Sequence, residues 1–144
     1  MSKASRNVGS LIEDAACDYL ASLGYHILER NYTCRLGEVD AVAHEGGVTV
    51  FIEIRYRGKG SLESPAESLG PAKLRRLRLA IRHYVARRPV SEETVFRVDV
   101  CLARPVSETT PLRPSGDGGL VREVQVPPLG PVRFEILKGV VDFG

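Results

Sequence analysis

Apolar residues recur at helical spacing near the start of the chain, where Ile12, Ala15, Ala16, Tyr19, Leu20 and Leu23 fall on one stripe. That period predicts an amphipathic helix over 9–23. It closes at Gly24, the residue type a left-handed cap prefers. The period then shortens to two. Tyr25 to Tyr32 reads as a first strand, with Tyr25, Ile27 and Glu29 on one face, and residues 37–43 and 48–57 read as two more. Only His44-Glu45-Gly46-Gly47 separates the last two, a tight-turn signal, so they pair as a hairpin. In the third strand Glu53, Arg55 and Arg57 point one way, and Val50, Ile52 and Ile54 the other.

A polar stretch from Gly58 to Ser68 precedes Gly70-Pro71, which opens a second helix with proline at its first position. Leu74, Leu77, Ile81, Tyr84 and Val85 make its apolar face, and it ends near Arg88, before Pro89. Val95 to Leu102 reads as a fourth strand. The Pro-, Gly-, Ser- and Thr-rich residues from Arg104 to Gly119 read as a long mobile loop. Two short closing strands are expected near 120–126 and 132–137, either side of Pro127-Pro128-Leu129-Gly130-Pro131. The expectation is one domain over 1–144, with a core over 8–103 and a loop or insertion over 104–131. Short turns make the three-strand meander antiparallel. The second helix acts as a crossover that makes the fourth strand parallel to the third. The fold class is α/β or α+β.

Charge changes the picture by its distribution. The formal net charge is only +2, yet basic residues crowd between Arg55 and Arg88. Such a stripe suits a polyanion, but a charge run of this kind is more often a solvated helix face. No apolar run approaches the ~20 residues of a membrane span. The polar start, Met1 to Arg6, has no apolar signal core behind it, so a cytoplasmic protein is expected. Cys17, Cys34 and Cys101 are widely spaced and read as reduced, packed thiols. His26, His44 and His83 lack zinc-ligand spacing. His44 lies near Asp40 in sequence, and reads more simply as a turn residue.

Candidate chemistry sits in the hairpin. Asp40 and Glu53 lie on adjacent strands, and a carboxylate inside so apolar a run is costly to bury without a cation or partner. Hard oxygen ligands select magnesium or manganese over zinc. Asp40 and Glu53 would be the ligands, with the Ile54 carbonyl a third. Glu13, at the edge of the first helix's apolar stripe, would add a direct or water-mediated contact, with Glu38 in reserve. A second reading stays open on the residues alone: Glu53 and Arg55 form an ion pair on a wet sheet face. Asp99 likewise pairs with an arginine, Arg97 or Arg55.

Over residues 8 to 103 these segments follow a known order. Gly9, Glu13, Ala15, Ala16 and Tyr19-Leu20 are followed by Gly24 to Asn31, then by Gly37-Glu38-Val39-Asp40. Val50 to Arg55, Pro65-Ala66-Glu67, Lys73 and Arg97-Val98-Asp99-Val100 come next. In this the chain resembles the YraN-like family of small bacterial proteins, related to archaeal Holliday junction resolvases and the wider PD-(D/E)xK nuclease superfamily.

The resemblance implies a restriction-endonuclease-like core, a mixed central sheet flanked by helices. It implies magnesium- or manganese-dependent hydrolysis of branched, flapped or single-stranded DNA, in repair or recombination. Glu13, Asp40 and Glu53 carry over as the acidic cluster. The superfamily lysine falls on Arg55, which keeps the positive charge but stays protonated and so cannot act as a general base. Arg55 suffices, or Lys59 or Lys73 reaches the site, or the chain is a non-catalytic nucleic-acid-binding protein on the same fold. Arg57, Lys59, Lys73, Arg75, Arg76, Arg78 and Arg82 are the candidate phosphate contacts. The resolvase relation also raises a homodimer, since a four-way junction offers two symmetric strands to cut. A protein adaptor docking through the basic helix is a further alternative.

Overall fold

Two helices and six strands carry these periods. They are α1 (Val8–Ser22), β1 (His26–Cys34), β2 (Gly37–Glu45), β3 (Val48–Tyr56), α2 (Pro71–Ala86), β4 (Val95–Pro105), β5 (Val121–Val126) and β6 (Gly130–Leu137). The computed structural model describes residues 7–57, 69–88, 93–106 and 121–141. Asn7 caps α1 by accepting the Ser10 N–H at 2.8 Å, which satisfies one of the helix's orphan donors. Gly24 follows the helix at φ +100°, as a left-handed cap requires.

The strands form one sheet in the order β1-β2-β3-β4-β6-β5. The β2–β3 turn holds Gly46 and Gly47 at φ +55° and +84°, the two positive dihedrals of a type I′ hairpin. β4 lies parallel to β3, with α2 in the crossover, and the other pairs are antiparallel. α1 covers one face over Ala41, Ala43, Val50, Ile52 and Phe134. α2 covers the other over Val39, Val42, Phe51 and Val98.

Three local features depart from simple alternation. A bulge between Ile27 and Glu29 turns Glu29 away from the face of Tyr25 and Ile27, and its carboxylate meets Arg88 at 2.6 Å beyond the end of α2. β4 runs on to Pro105, so Arg104 belongs to the sheet rather than to a loop. The expected closing strands are β5 and β6, and their proline-rich link is a hairpin turn with Gly130 at φ +88°. The rest of the expected loop, 107–120, lies outside the described residues. Cys17 and Cys101 are buried and Cys34 half-buried, all as free thiols. His44 is exposed beside the hairpin turn. No described helix is long and apolar enough to cross a membrane.

Candidate functional site

The β2–β3 ladder runs from Glu45↔Val48 to Ala41↔Ile52 and ends there. β3 keeps its parallel partner as far as Tyr56↔Ala103, and β2 keeps β1 as far as Gly37↔Cys34. The two strands therefore part at the next register pair, Asp40 and Glu53. Across β1, between Arg30↔Ala41 and Tyr32↔Val39, Asn31 faces Asp40 with φ +54°. Asparagine is among the few residues that tolerate this left-handed geometry. Alternation breaks at the same point: Val39 and Val42 pack beneath α2, whereas Ala41 and Ala43 pack beneath α1. The Asp40 carboxylate takes the place of a ladder acceptor, and Ile54 N–H donates to it at 2.7 Å.

Glu53 lies on the α2 side and is 2% exposed. The wet sheet face of the second reading is thereby excluded, although the Arg55 charge does act on Glu53. Glu53 borders a cavity of about 270 Å³ with Glu38, Ala72, Lys73, Arg76 and Leu77. Lys73 Nζ stands 3.9 Å from its Oε1. Burial raises the Glu53 pKa well above the usual carboxylate range. A hydrogen bond with the Asp40 side chain and the Asp40 charge raise it further, against opposing pulls from Lys73 and Arg55. Two carboxyl groups held this close cannot both ionise cheaply.

Glu13 enters from α1. Its pKa is also raised, first by burial and then by the Asp40 charge, while Arg30 and a hydrogen bond to Asn31 oppose the shift. Asp40 thus bears on both glutamates. Arg30 Nη2 holds Glu13 at 4.0 Å and Asp14 at 2.8 Å. Asn31 and Arg30 are orienting residues that sequence reasoning missed. The one signal was an asparagine inside a strand, a type depleted there. Among the described residues no group of three or more His, Cys, Asp or Glu converges as a ready-made metal cage.

The structure divides the predicted basic residues. Lys73 and Arg76 line the cavity beside Glu53. Arg75, Arg78 and Arg82 are exposed, and at 100° per residue they fall on the side of α2 opposite its buried stripe. Arg55 and Arg57 continue the Glu53 face of β3, and Arg55 Nε is buried with no hydrogen-bond partner among the described residues. Lys59 and Pro65-Ala66-Glu67 lie outside the described residues. Gly37 brings β2 against α2, because a Cβ there would overlap the Arg76 carbonyl.

Asp99 is fully buried and belongs to a different construction. Its carboxylate accepts from Tyr25 Oη at 2.7 Å, Arg97 Nε at 2.8 Å and Gly139 N–H at 2.9 Å. Arg97 also reaches Glu45 at 2.6 Å, and Lys138 reaches the same Glu45 oxygen at 2.8 Å. Of the two arginines expected for Asp99, the partner is Arg97. A carboxylate so fully satisfied is a structural tie.

A six-stranded mixed sheet, with helices on both faces and carboxylates at the parting of its hairpin, defines a restriction-endonuclease-like α/β fold. Comparison with known proteins narrows the class. The chain belongs to the Uncharacterised protein family UPF0102, whose model matches residues 12–103; at family level it is related to the Holliday junction resolvases. It is similar to a UPF0102 protein of Nitrosococcus oceani, 41% identical over 95 residues that cover 66% of this chain and 77% of the relative. A UPF0102 protein of Lachnoclostridium phytofermentans is 42% identical over 88 residues, covering 61% of this chain and 75% of the relative. One of Mycolicibacterium vanbaalenii is 38% identical over 97 residues, covering 67% and 79%. The matched region holds Glu13, Asp40, Glu53, Arg55 and Lys73, whereas β5 and β6 lie beyond it.

Proposed function

We propose that the chain is a divalent-metal-dependent endonuclease that hydrolyses phosphodiester bonds in branched, flapped or single-stranded DNA. One observation carries the reading. A glutamate 2% exposed is pressed against an aspartate where two strands part, and the proton that this arrangement keeps on Glu53 is one a divalent cation can replace. Magnesium is commonly held by one or two carboxylates, with water and substrate phosphate completing the shell, so two side-chain carboxylates suit it without a full protein cage. Asp40 and Glu53 are the ligands. The Ile54 carbonyl joins them, because it leaves an extended strand on the same edge as the N–H that meets Asp40. Glu13 acts through water from the α1 side. A bound magnesium or manganese ion supplies a Lewis acid for the phosphate and lowers the pKa of water.

The chain's own cations divide the remaining work. Lys73, on α2, brings an ammonium to the edge of the carboxylate pair, the kind of charge the superfamily places on the strand. Arg55 stays protonated and faces the phosphate as a fixed charge. Its Nε, without a hydrogen-bond partner among the described residues, suits an oxyanion acceptor.

Cleavage of end-labelled four-way-junction, flap, single-stranded and duplex DNA with manganese or magnesium tests this. Wild type, Glu53→Ala, Lys73→Ala and Arg55→Lys are compared. Metal-dependent cutting lost in Glu53→Ala is expected. If neither wild type nor Arg55→Lys cuts any substrate while all bind DNA, the chain is a binding module on a nuclease fold.

A further inference from the structure

We infer that α2 carries two separate DNA surfaces, and that the outward one, Arg75, Arg78 and Arg82, holds a second stretch of phosphodiester backbone apart from the phosphate being cut. The inference rests on the DNA reading above and deepens it, because it divides the phosphate contacts of one helix between two segments of substrate.

Helical geometry makes the division. Leu77, Ala80, Ile81 and Tyr84 are the buried residues of α2. At ~100° per residue, Arg75, Arg78 and Arg82 fall within about 60° of one another and about 140° from that buried stripe. All three are exposed. Lys73 and Arg76 instead line the cavity that Glu53 borders. A helix with its side chains is about 10–12 Å across, and Glu53 lies buried beneath this one. A phosphate seated beside Glu53 is therefore out of reach of the outward arginines.

Charge then argues for an occupant. The 16 residues of α2 include Lys73, Arg75, Arg76, Arg78 and Arg82 and no acid. A helix face that merely meets water interleaves acids with bases, so that opposite charges pair at i,i+4. Here Arg75 and Arg78 are neighbours at i,i+3, and Arg78 and Arg82 at i,i+4. Like charges at these spacings destabilise a helix. The first turn also lacks the acid that the helix dipole favours there. Among the described residues, Arg75, Arg78 and Arg82 make no ion pair or hydrogen bond. A polyanion turns their mutual repulsion into attraction. From Arg75 to Arg82 the helix rises about 10 Å. One strand of duplex places a phosphate about every 3.4 Å along the axis, so three arginines face about three phosphates. The planar fork of each guanidinium matches two phosphate oxygens at once.

Fluorescence anisotropy on labelled duplex DNA, across a salt series and without divalent metal, tests the surface. Full-length wild type is compared with Arg75→Gln/Arg78→Gln/Arg82→Gln and with Arg75→Lys/Arg78→Lys/Arg82→Lys. Each lost phosphate contact removes about 0.9 from the slope of log affinity against log salt. The glutamine variant is expected to lose roughly 2.7 in slope and at least about tenfold in affinity, and the lysine variant to keep most of both. The glutamine variant is also expected to melt no lower than wild type, because it loses like-charge neighbours. With manganese present, its loss is expected in the protein concentration that half-saturates cleavage. A fall in the saturated single-turnover rate instead would overturn the division, by placing the stripe at the cavity. Wild-type slope and affinity in the glutamine variant would overturn the surface and leave the DNA reading standing. Equal losses in both variants would also overturn it, by showing a packing role. A wild type that binds no DNA would overturn the DNA reading and the surface with it, and binding of poly-glutamate in its place would give the stripe to an acidic protein.

Discussion

Lys73 Nζ of α2 lies 3.9 Å from Glu53 Oε1 of β3, so among the described residues a helix supplies the ammonium nearest to the buried carboxylate. The strand position where the superfamily carries lysine holds Arg55, which shares the Glu53 face two residues on. The two cations are therefore split between two elements. Lys73→Ala is expected to lower metal-dependent cleavage by about 100-fold or more, the usual cost of losing a positioned charge at a reacting group. Adding Arg55→Lys to that variant is expected to restore part of the rate. Single-turnover rates on a fixed substrate check this, and an unchanged rate in Lys73→Ala assigns the charge to Arg55 alone.

Glu53 also predicts a pH dependence of stability. Its pKa in the folded chain is raised above the ordinary 4.5, so between those values the folded state holds more protons than the unfolded state. The contribution is fully present below the ordinary value and is lost as pH rises through the raised one. Metal-free wild type is expected to melt lower with rising pH across that window, more steeply than Glu53→Gln. On the alkaline side Glu53→Gln is expected to be the more stable by at least ~1 kcal/mol, or about 2–4 °C for a domain of this size. Thermal melts in chelator across pH decide it, and parallel profiles contradict the buried-carboxylate account.

Gly37 sets the distance between β2 and α2. The Arg76 carbonyl that a Cβ would meet is backbone and cannot swing aside. Gly37→Ala is expected to destabilise by ~1–3 kcal/mol, as overpacking does. It would also move Lys73 away from Glu53, so cleavage should fall further than stability at a temperature where the variant remains folded. Denaturant melts paired with cleavage rates separate the two effects.

Asp99 predicts the opposite split. Tyr25→Phe removes one donor to a fully buried carboxylate, at an expected cost of ~1–3 kcal/mol. Because this network ties Asp99 to Arg97 and Gly139 rather than to Asp40 or Glu53, cleavage per folded molecule should be unchanged. A variant of wild-type stability but lost activity would place Asp99 in the chemistry.

The meander, the glycine hairpin, the crossover and the two closing strands were legible because each depends on local period and turn chemistry. The pairing of Asp40 with Glu53 was legible for the same reason, since a short turn fixes register. What made the pair a site was not. The ladder's end at Ala41↔Ile52, the left-handed Asn31 and the seizure of Ile54 N–H by Asp40 are tertiary choices with no periodic signature. The bulge that turns Glu29 toward Arg88 is of the same kind. Lys73 was named among several basic residues, but only the docking of α2 over Gly37 separates it from Arg75, Arg78 and Arg82. Arg104 was read as loop because the proline-rich composition that follows hid the extension of β4.

The central claim is that the proton held on buried Glu53, beside Asp40, gives way to a divalent cation. Calorimetric titration of manganese into the chain near neutral pH, in buffers of different ionisation enthalpy, measures both binding and proton release. Wild type is expected to bind the ion and release a proton, with both effects lost in Glu53→Gln. Undiminished binding in Glu53→Gln, or no binding by wild type, would contradict the account.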